Sequence, residues 1–278
     1  MKKISRRSFL AAAGLSVAAL ALTACGGSSA STASSVASSA ASEAASTSAA
    51  AGELTTVEAG KLTMATNAAF PPYEMTTDAG EFEGIDIETA QAIADKLGLE
   101  LQIDDMDFDA ALLSVQQGKA DIVMAGVTVT DERKAVMDFS DSYATGIQSI
   151  IVPEGSDIAS PDDLTGKKIG TQRGTTGYIY CSDDFGDDNV VAYDDGLTAV
   201  QALNNGQVDA VVIDNAPAQE FIAANPGLKI LDTSYAEEDY AIGMAKGSSL
   251  EDAVNAALKE LKADGTLQSI VDKYITAE

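Results

Sequence analysis

GIDIETAQAIADKLGLELQI, residues 84–103, sets the fold class by local pattern. Thr89 to Leu97 carries a helical period. Gly98 follows, just past the helix end, where a left-handed residue is needed. Leu99, Leu101 and Ile103 then alternate with polar residues, as a strand with one buried face does. A helix running at once into a strand is a piece of an α/β architecture, and the neighbouring sequence keeps to that pattern. Upstream, Lys61-Leu62-Thr63-Met64-Ala65-Thr66 reads as an opening strand. Downstream, Phe108 to Gln117 reads as a helix with Leu112, Leu113 and Val115 apolar, and Ala120 to Val127 as a buried strand. Lys168-Ile169-Gly170-Thr171 and Val208 to Ile213 are two further strands, each followed by helix-like sequence. Near the end, Ser248-Ser249-Leu250-Glu251 offers a capping box. Leu250, Val254, Ala257, Leu258 and Leu261 then repeat on one helical face, which Gly265 closes. No internal repeat is visible.

The first twenty-five residues have a different character. Lys2, Lys3, Arg6 and Arg7 precede an apolar run from Phe9 to Leu22, which ends in Leu22-Thr23-Ala24-Cys25. About 14 apolar residues are too few for a spanning helix, which needs roughly 20, so 1–25 reads as a targeting segment. Small residues before a cysteine resemble the lipobox of bacterial lipoproteins, in which the cysteine is acylated, as by palmitate, and becomes the new N-terminus. Ser5-Arg6-Arg7-Ser8-Phe9-Leu10 also resembles a twin-arginine export signal. The same four positive charges would equally serve a general secretory signal. Residues 26–55 are dominated by Gly, Ser, Ala and Thr, with no apolar face to bury, and predict a flexible tether. The tether from Gly26 to Gly52 has a typical reach of about 30 Å, enough to hold a folded body clear of a bilayer.

Roughly 225 residues remain, enough for one large domain or two small ones. Loss of the leader takes four of the 17 basic residues and none of the 43 acids, leaving a formal charge of −30. A surface this acidic argues against nucleic acid as a partner, since phosphate binding depends on Lys and Arg. With Cys25 acylated, Cys181 is the sole remaining cysteine and no intrachain disulfide can form. The chain has no histidine. That excludes Ser-His-Asp and Cys-His nucleophilic arrangements and His-ligated zinc. Neither a cofactor nor a metal is expected.

Six blocks in order resemble the polar amino-acid family of extracellular solute-binding proteins that feed ABC importers. They are Ala65-Thr66-Asn67-Ala68-Ala69-Phe70-Pro71-Pro72-Tyr73-Glu74, then Gly84-Ile85-Asp86-Ile87-Glu88, then Met106-Asp107-Phe108 with Gly118-Lys119-Ala120-Asp121. Ala125-Gly126-Val127-Thr128-Val129-Thr130-Asp131-Glu132-Arg133 with Asp138-Phe139-Ser140 is the fourth. Gly170-Thr171-Gln172-Arg173-Gly174-Thr175-Thr176 and Val212-Ile213-Asp214 complete the set. The resemblance implies a two-lobe, type II periplasmic-binding-protein-like fold: two α/β lobes joined by two hinge strands and closing on a ligand. Lobe 1 would be 56–147 plus 240–278 and lobe 2 148–239, with crossings near Ser149 to Pro153 and Asp239 to Met244.

A free amino acid carries a carboxylate and an ammonium on one carbon, so its site needs opposed charges and a side-chain pocket. Arg133 can fork onto both carboxylate oxygens, or pair locally with Asp131 or Glu132. Gly174-Thr175-Thr176 should open a helix whose free N–H groups favour an anion, with the Thr176 hydroxyl as a further donor; an ordinary N-cap reads equally well. Asp214 ends a strand, where ligands sit in α/β sheets, and would meet the ammonium or cap the next helix. The resemblance adds the Gly126 carbonyl and Thr128 to the ammonium contacts, and sets Phe70 and Phe108 around the ligand's aliphatic part. Tyr73 is a weaker pocket candidate. Many family members carry an acid where this chain has Asn67. Asn67 and Gln172 both suit a neutral polar side chain, whereas Arg173 would suit an acidic one. Thr89 departs from the family's apolar position without touching the ligand.

The function implied is capture of a polar L-amino acid, glutamine-like first, then cationic, then acidic, for delivery to ABC permease subunits. The chain would act without catalysis, as a monomer anchored by Cys25 on the extracellular face of the cell membrane, or the periplasmic side where an outer membrane exists. A Gram-positive-type surface fits best, because a cell without an outer barrier would lose an untethered binder. An enzyme on the same fold, such as a small-acid dehydratase, is the alternative. The ligand-sensing lobe of a receptor is a third reading.

Overall fold

The computed structural model describes residues 54–275; the leader, Cys25 and nearly all of the Ser/Ala stretch lie outside them. β1 (Lys61–Thr66) is buried from Leu62 onward, as a central strand covered on both faces must be. Three short strands follow, β2 (Ala69–Phe70), β3 (Glu74–Thr76) and β4 (Phe82–Glu83), paired as a small antiparallel sheet. Then come α1 (Ile85–Leu97), β5 (Glu100–Asp105), α2 (Phe108–Gln116), β6 (Ile122–Val123), α3 (Asp131–Val136) and β7 (Met137–Phe139).

The chain crosses into a second sheet through β8 (Ala144–Pro153). It continues with β9 (Ile169–Gln172), α4 (Thr176–Phe185), β10 (Val190–Tyr193), α5 (Gly196–Asn204), β11 (Ala210–Asp214), α6 (Asn215–Ala224) and β12 (Leu228–Ile230). It returns through β13 (Ala236–Tyr240) to β14 (Gly243–Ala245), α7 (Glu251–Ala263) and α8 (Thr266–Tyr274). The first sheet has the order β5-β1-β6-β14-β7 and the second β10-β9-β11-β8-β12, with β13 also on β8. The α/β pattern read from residues 84–103 thus builds two sheets with helices around each. β1 runs parallel to β5 and β6, while the returning β14 runs antiparallel to β6 and β7.

Helix α1 begins at Ile85, four residues before the helical period predicts. Gly84 has φ +130°, and a Cβ there would lie 2.2 Å from the Tyr73 carbonyl oxygen. Only glycine lets the chain turn so tightly into the helix. Gly98 ends it in the left-handed conformation, with φ +69°. In α7, Leu250, Val254, Ala257, Leu258 and Leu261 are all buried, and the helix packs on α1 and α8. The capping box does not form: Leu250 holds the cap position, and the Ser248 hydroxyl accepts from the Leu250 amide at 3.2 Å in a local turn. Ala120 to Val127 is buried throughout, but only Ile122 and Val123 pair as a strand. Pairing ends at Val123, and three residues on, Gly126 takes a left-handed conformation with φ +54°.

The first crossing lies earlier than Ser149 to Pro153, which already pairs with β11 and β12 inside the second sheet. It runs from Ser140 to Gly146, beside the return at Glu238 to Ile242. The Ser140 amide donates to the Ile242 carbonyl and the Tyr143 amide to the Tyr240 carbonyl, both at 2.9 Å. Ile242 N–H donates back to the Ser140 hydroxyl at 3.0 Å. Two strands bonded to each other therefore carry the chain between the sheets.

Candidate functional site

Strand ends of both sheets meet around one cavity. Asn67, Phe70, Phe108, Gly126, Thr128 and Arg133 line it from the first sheet's side, and Gln172, Thr176 and Asp214 from the second's. The structure thus brings all nine candidate residues together.

Arg133 sits in the third position of α3, whose Thr130 hydroxyl caps its amide at 3.1 Å. It does not pair with Asp131 or Glu132. Its guanidinium donates to the Thr128 carbonyl at 2.8 Å and the Gly174 carbonyl at 3.1 Å, and lies 5.4 Å from the centre of the Phe108 ring. Two of its five donors are spent, so a forked contact to a carboxylate remains open. Burial lowers its proton affinity, and the carboxylate of Glu238 works against that shift.

Asp214 is both cap and cavity residue. Oδ1 accepts from the Ala216 amide at 2.9 Å, and Oδ2 from the Ile147 amide at 2.8 Å and the Tyr240 hydroxyl at 3.0 Å. Burial is the largest influence on its carboxyl and outweighs these bonds, so its pKa is pushed up to about 6.

Thr175, not Thr176, caps α4, accepting from the Tyr178 amide at 3.3 Å. The amides of Thr176 and Gly177, the first two helical residues, have no carbonyl within the helix to bond. The Thr176 hydroxyl is not a spare donor as expected: it donates to Glu238 at 2.9 Å. Asn67 and Gln172 form a direct amide pair, Gln172 Nε2 donating to Asn67 Oδ1 at 2.8 Å, while Asn67 Nδ2 donates to the Met106 carbonyl at 3.0 Å. Arg173 turns away from the cavity, stays half exposed, and faces Asp194 at 3.7 Å in a separate recess. Tyr73 lies behind the wall, its ring 5.7 Å from that of Phe70 and 5.4 Å from that of Tyr240.

Sequence reading passed over Glu74, Gln148 and Tyr240, which also line the cavity, and Glu238 beside it. Glu74 stood in the first family block, where its neighbours absorbed the interpretation. Gln148, Glu238 and Tyr240 lie on the crossing strands, where no local motif marks a side chain that meets a distant loop. Behind the cavity, Asp86 accepts from the Gly126 amide at 3.0 Å. Burial raises the carboxyl of Glu74 well above its usual range and that of Asp86 to about 6. A protonated Glu74 beside Asp86 accounts for two carboxyls sharing so dry a place.

A family model described as bacterial extracellular solute-binding proteins, family 3, matches residues 62–277. The chain is 33% identical to the L-cystine-binding protein TcyJ of Escherichia coli over 226 residues, covering 80% of this chain and 85% of that one. The crystal structure of the arginine-, lysine-, histidine-binding protein ArtJ from Geobacillus stearothermophilus superposes with a TM-score of 0.75 at 34% identity, covering 78% of this chain and 96% of ArtJ. An ancestral arginine-binding protein bound to glutamine matches at 41% identity with a TM-score of 0.75, covering 78% and 99%.

Proposed function

The chain belongs to the bacterial extracellular solute-binding proteins, family 3, and on that premise we propose that it captures a polar L-amino acid between two closing lobes and delivers it to an ABC permease. It is an amino-acid-binding protein rather than an enzyme; the relatives named above are binding proteins. The ligand carboxylate would lie on Arg133 and the first amides of α4, and the ammonium on Asp214, Thr128 and the Gly126 carbonyl. Residues 56–147 with 240–278 would move as one lobe and 148–239 as the other. Acylation at Cys25 and the tether behind it would keep the protein on the extracellular face of the cell membrane.

Ligand class rests on one observation, the amide pair of Asn67 and Gln172 at 2.8 Å. Two neutral amides offer donors and acceptors without a charge, which suits a side-chain amide such as that of glutamine. The turning away of Arg173 removes the group that would have favoured an acidic side chain. A cationic ligand ranks second, supported by the arginine-, lysine-, histidine-binding relative ArtJ. Thermal unfolding of the mature protein with each of the twenty amino acids, cystine and ornithine tests this. Saturating ligand at 100–1,000 times Kd should stabilise by about 3–4 kcal/mol, with glutamine leading. Stabilisation by glutamate or aspartate alone would overturn the ligand class, and no response to any compound would overturn the capture reading.

A further inference from the structure

Glu238 lies on β13 opposite Gly146 of β8, where the chain passes between the sheets, and is 6% exposed. Its Oε2 accepts three hydrogen bonds, from the Thr128 hydroxyl at 3.1 Å, the Thr176 hydroxyl at 2.9 Å and the Gln148 side-chain amide at 3.0 Å. Its Oε1 is buried and has no hydrogen-bond partner among the described residues. No Lys or Arg forms an ion pair with it among those residues.

A hydroxyl has one proton to give and two lone pairs to offer. Thr128 and Thr176 both direct that proton to Glu238, although their oxygens lie 3.4 Å apart. Each is then left with lone pairs alone for anything else in the cavity. A hydroxyl in that state cannot donate to a carboxylate but accepts well from an ammonium. Had Glu238 been apolar, the same hydroxyls would be free to rotate and donate toward the ligand's anionic end.

We infer that Glu238 is a positioning residue that fixes the polarity of the Thr128–Thr176 wall, making it an acceptor surface for the ammonium group of the ligand. The carboxylate then falls to Arg133 and the opening amides of α4. Discrimination between an amino acid and the same molecule lacking its amino group is thereby set by a residue on the crossing strand that need not touch the ligand. This inference rests on the amino-acid reading above.

The test is isothermal calorimetry on the mature chain and its E238Q and E238A variants. L-glutamine and L-arginine are each compared with their desamino counterparts, glutaramate and 5-guanidinopentanoate. The wild type should prefer the amino acids strongly. Both variants should lose at least tenfold of that preference, with affinity for the desamino compounds changed less than threefold. A residue that merely latches the two sheets together would, when replaced, weaken amino and desamino ligands by the same factor, and that result overturns the inference. E238Q keeps the size and one acceptor of the native side chain, so it carries the test if E238A does not fold. A wild type that binds either amino acid while both variants keep the full preference overturns this inference alone. A wild type that binds neither of these amino acids, nor any other in the thermal panel, overturns the capture reading with it.

Discussion

Acidifying the solution from pH 7.5 to 5 should weaken amino-acid binding about tenfold, through Asp214. In the ligand-free protein, burial holds its carboxyl at about 6 despite three donors, from Ala216, Ile147 and Tyr240. A ligand ammonium brought against it favours the ionised form and draws the pKa back down. The complex therefore holds fewer protons than the free protein at pH 5, so binding releases a proton there and affinity falls as the pH drops through 6. At pH 5 about ten of every eleven free molecules carry the proton, which costs roughly 1.4 kcal/mol of binding. At pH 7.5 only about 3% do, and the cost vanishes. Calorimetry at pH 7.5, 6 and 5, in buffers of different ionisation heat, reads the affinity and the proton count together. Asp214→Asn should bind more weakly throughout and lose the slope. Asp86 titrates in the same range, but it lies behind the cavity, bonded to the Gly126 amide, and not among the residues that line it. An affinity flat from pH 7.5 to 5 with no proton released would refute the argument, as would a slope that survives in Asp214→Asn.

Stability of the ligand-free protein should move the other way. Asp214 and Asp86 both have raised pKa values in the folded state, so the folded form binds protons the unfolded form does not, and the melting temperature should rise between pH 7.5 and 5.5. Arg133→Ala removes two charged hydrogen bonds to backbone carbonyls and the fork for the ligand. At about 1.5–3 kcal/mol for each charged bond, binding measured by calorimetry should fall at least a hundredfold. Asn67→Asp puts a charge into the amide pair with Gln172, and competition binding should show the preference turning toward arginine. Gly146→Ala places a methyl 2.4 Å from the Tyr240 ring at the crossing; overpacking there should cost about 1–3 kcal/mol in denaturant unfolding. Cys25→Ser should release the protein from the membrane fraction on cell fractionation.

What could be read from the sequence was whatever carries its signal locally. Gly98 ends α1 by its own backbone preference, and Arg133, Phe108 and Asp214 stand in short blocks at the starts of helices or the ends of strands. Those blocks supply one wall each, so the candidate residues were recognisable without knowing how the walls meet. The capping box failed for a related reason. Ser248 and Glu251 have the right spacing for a capping box, but Leu250, buried in the core, holds the cap position of α7.

The residues that escaped notice share a different origin. Gln148, Glu238 and Tyr240 lie on β8 and β13, whose register, Ala236 on Gln148 through Tyr240 on Ala144, joins positions about ninety apart in the chain. Alternation along β13 puts Glu238 and Tyr240 on the same face, both buried, between exposed Glu237 and Asp239. In a segment reading Glu237-Glu238-Asp239 of so acidic a chain, nothing local separates the one buried carboxylate from its solvated neighbours. Only the pairing of β13 with β8 fixes which of the three turns inward, and that pairing is also the crossing about which two lobes would close. The strand at the crossing thus also carries the side chain that takes the protons of both Thr128 and Thr176, so a substitution at Glu238 should alter the preference for amino over desamino ligands.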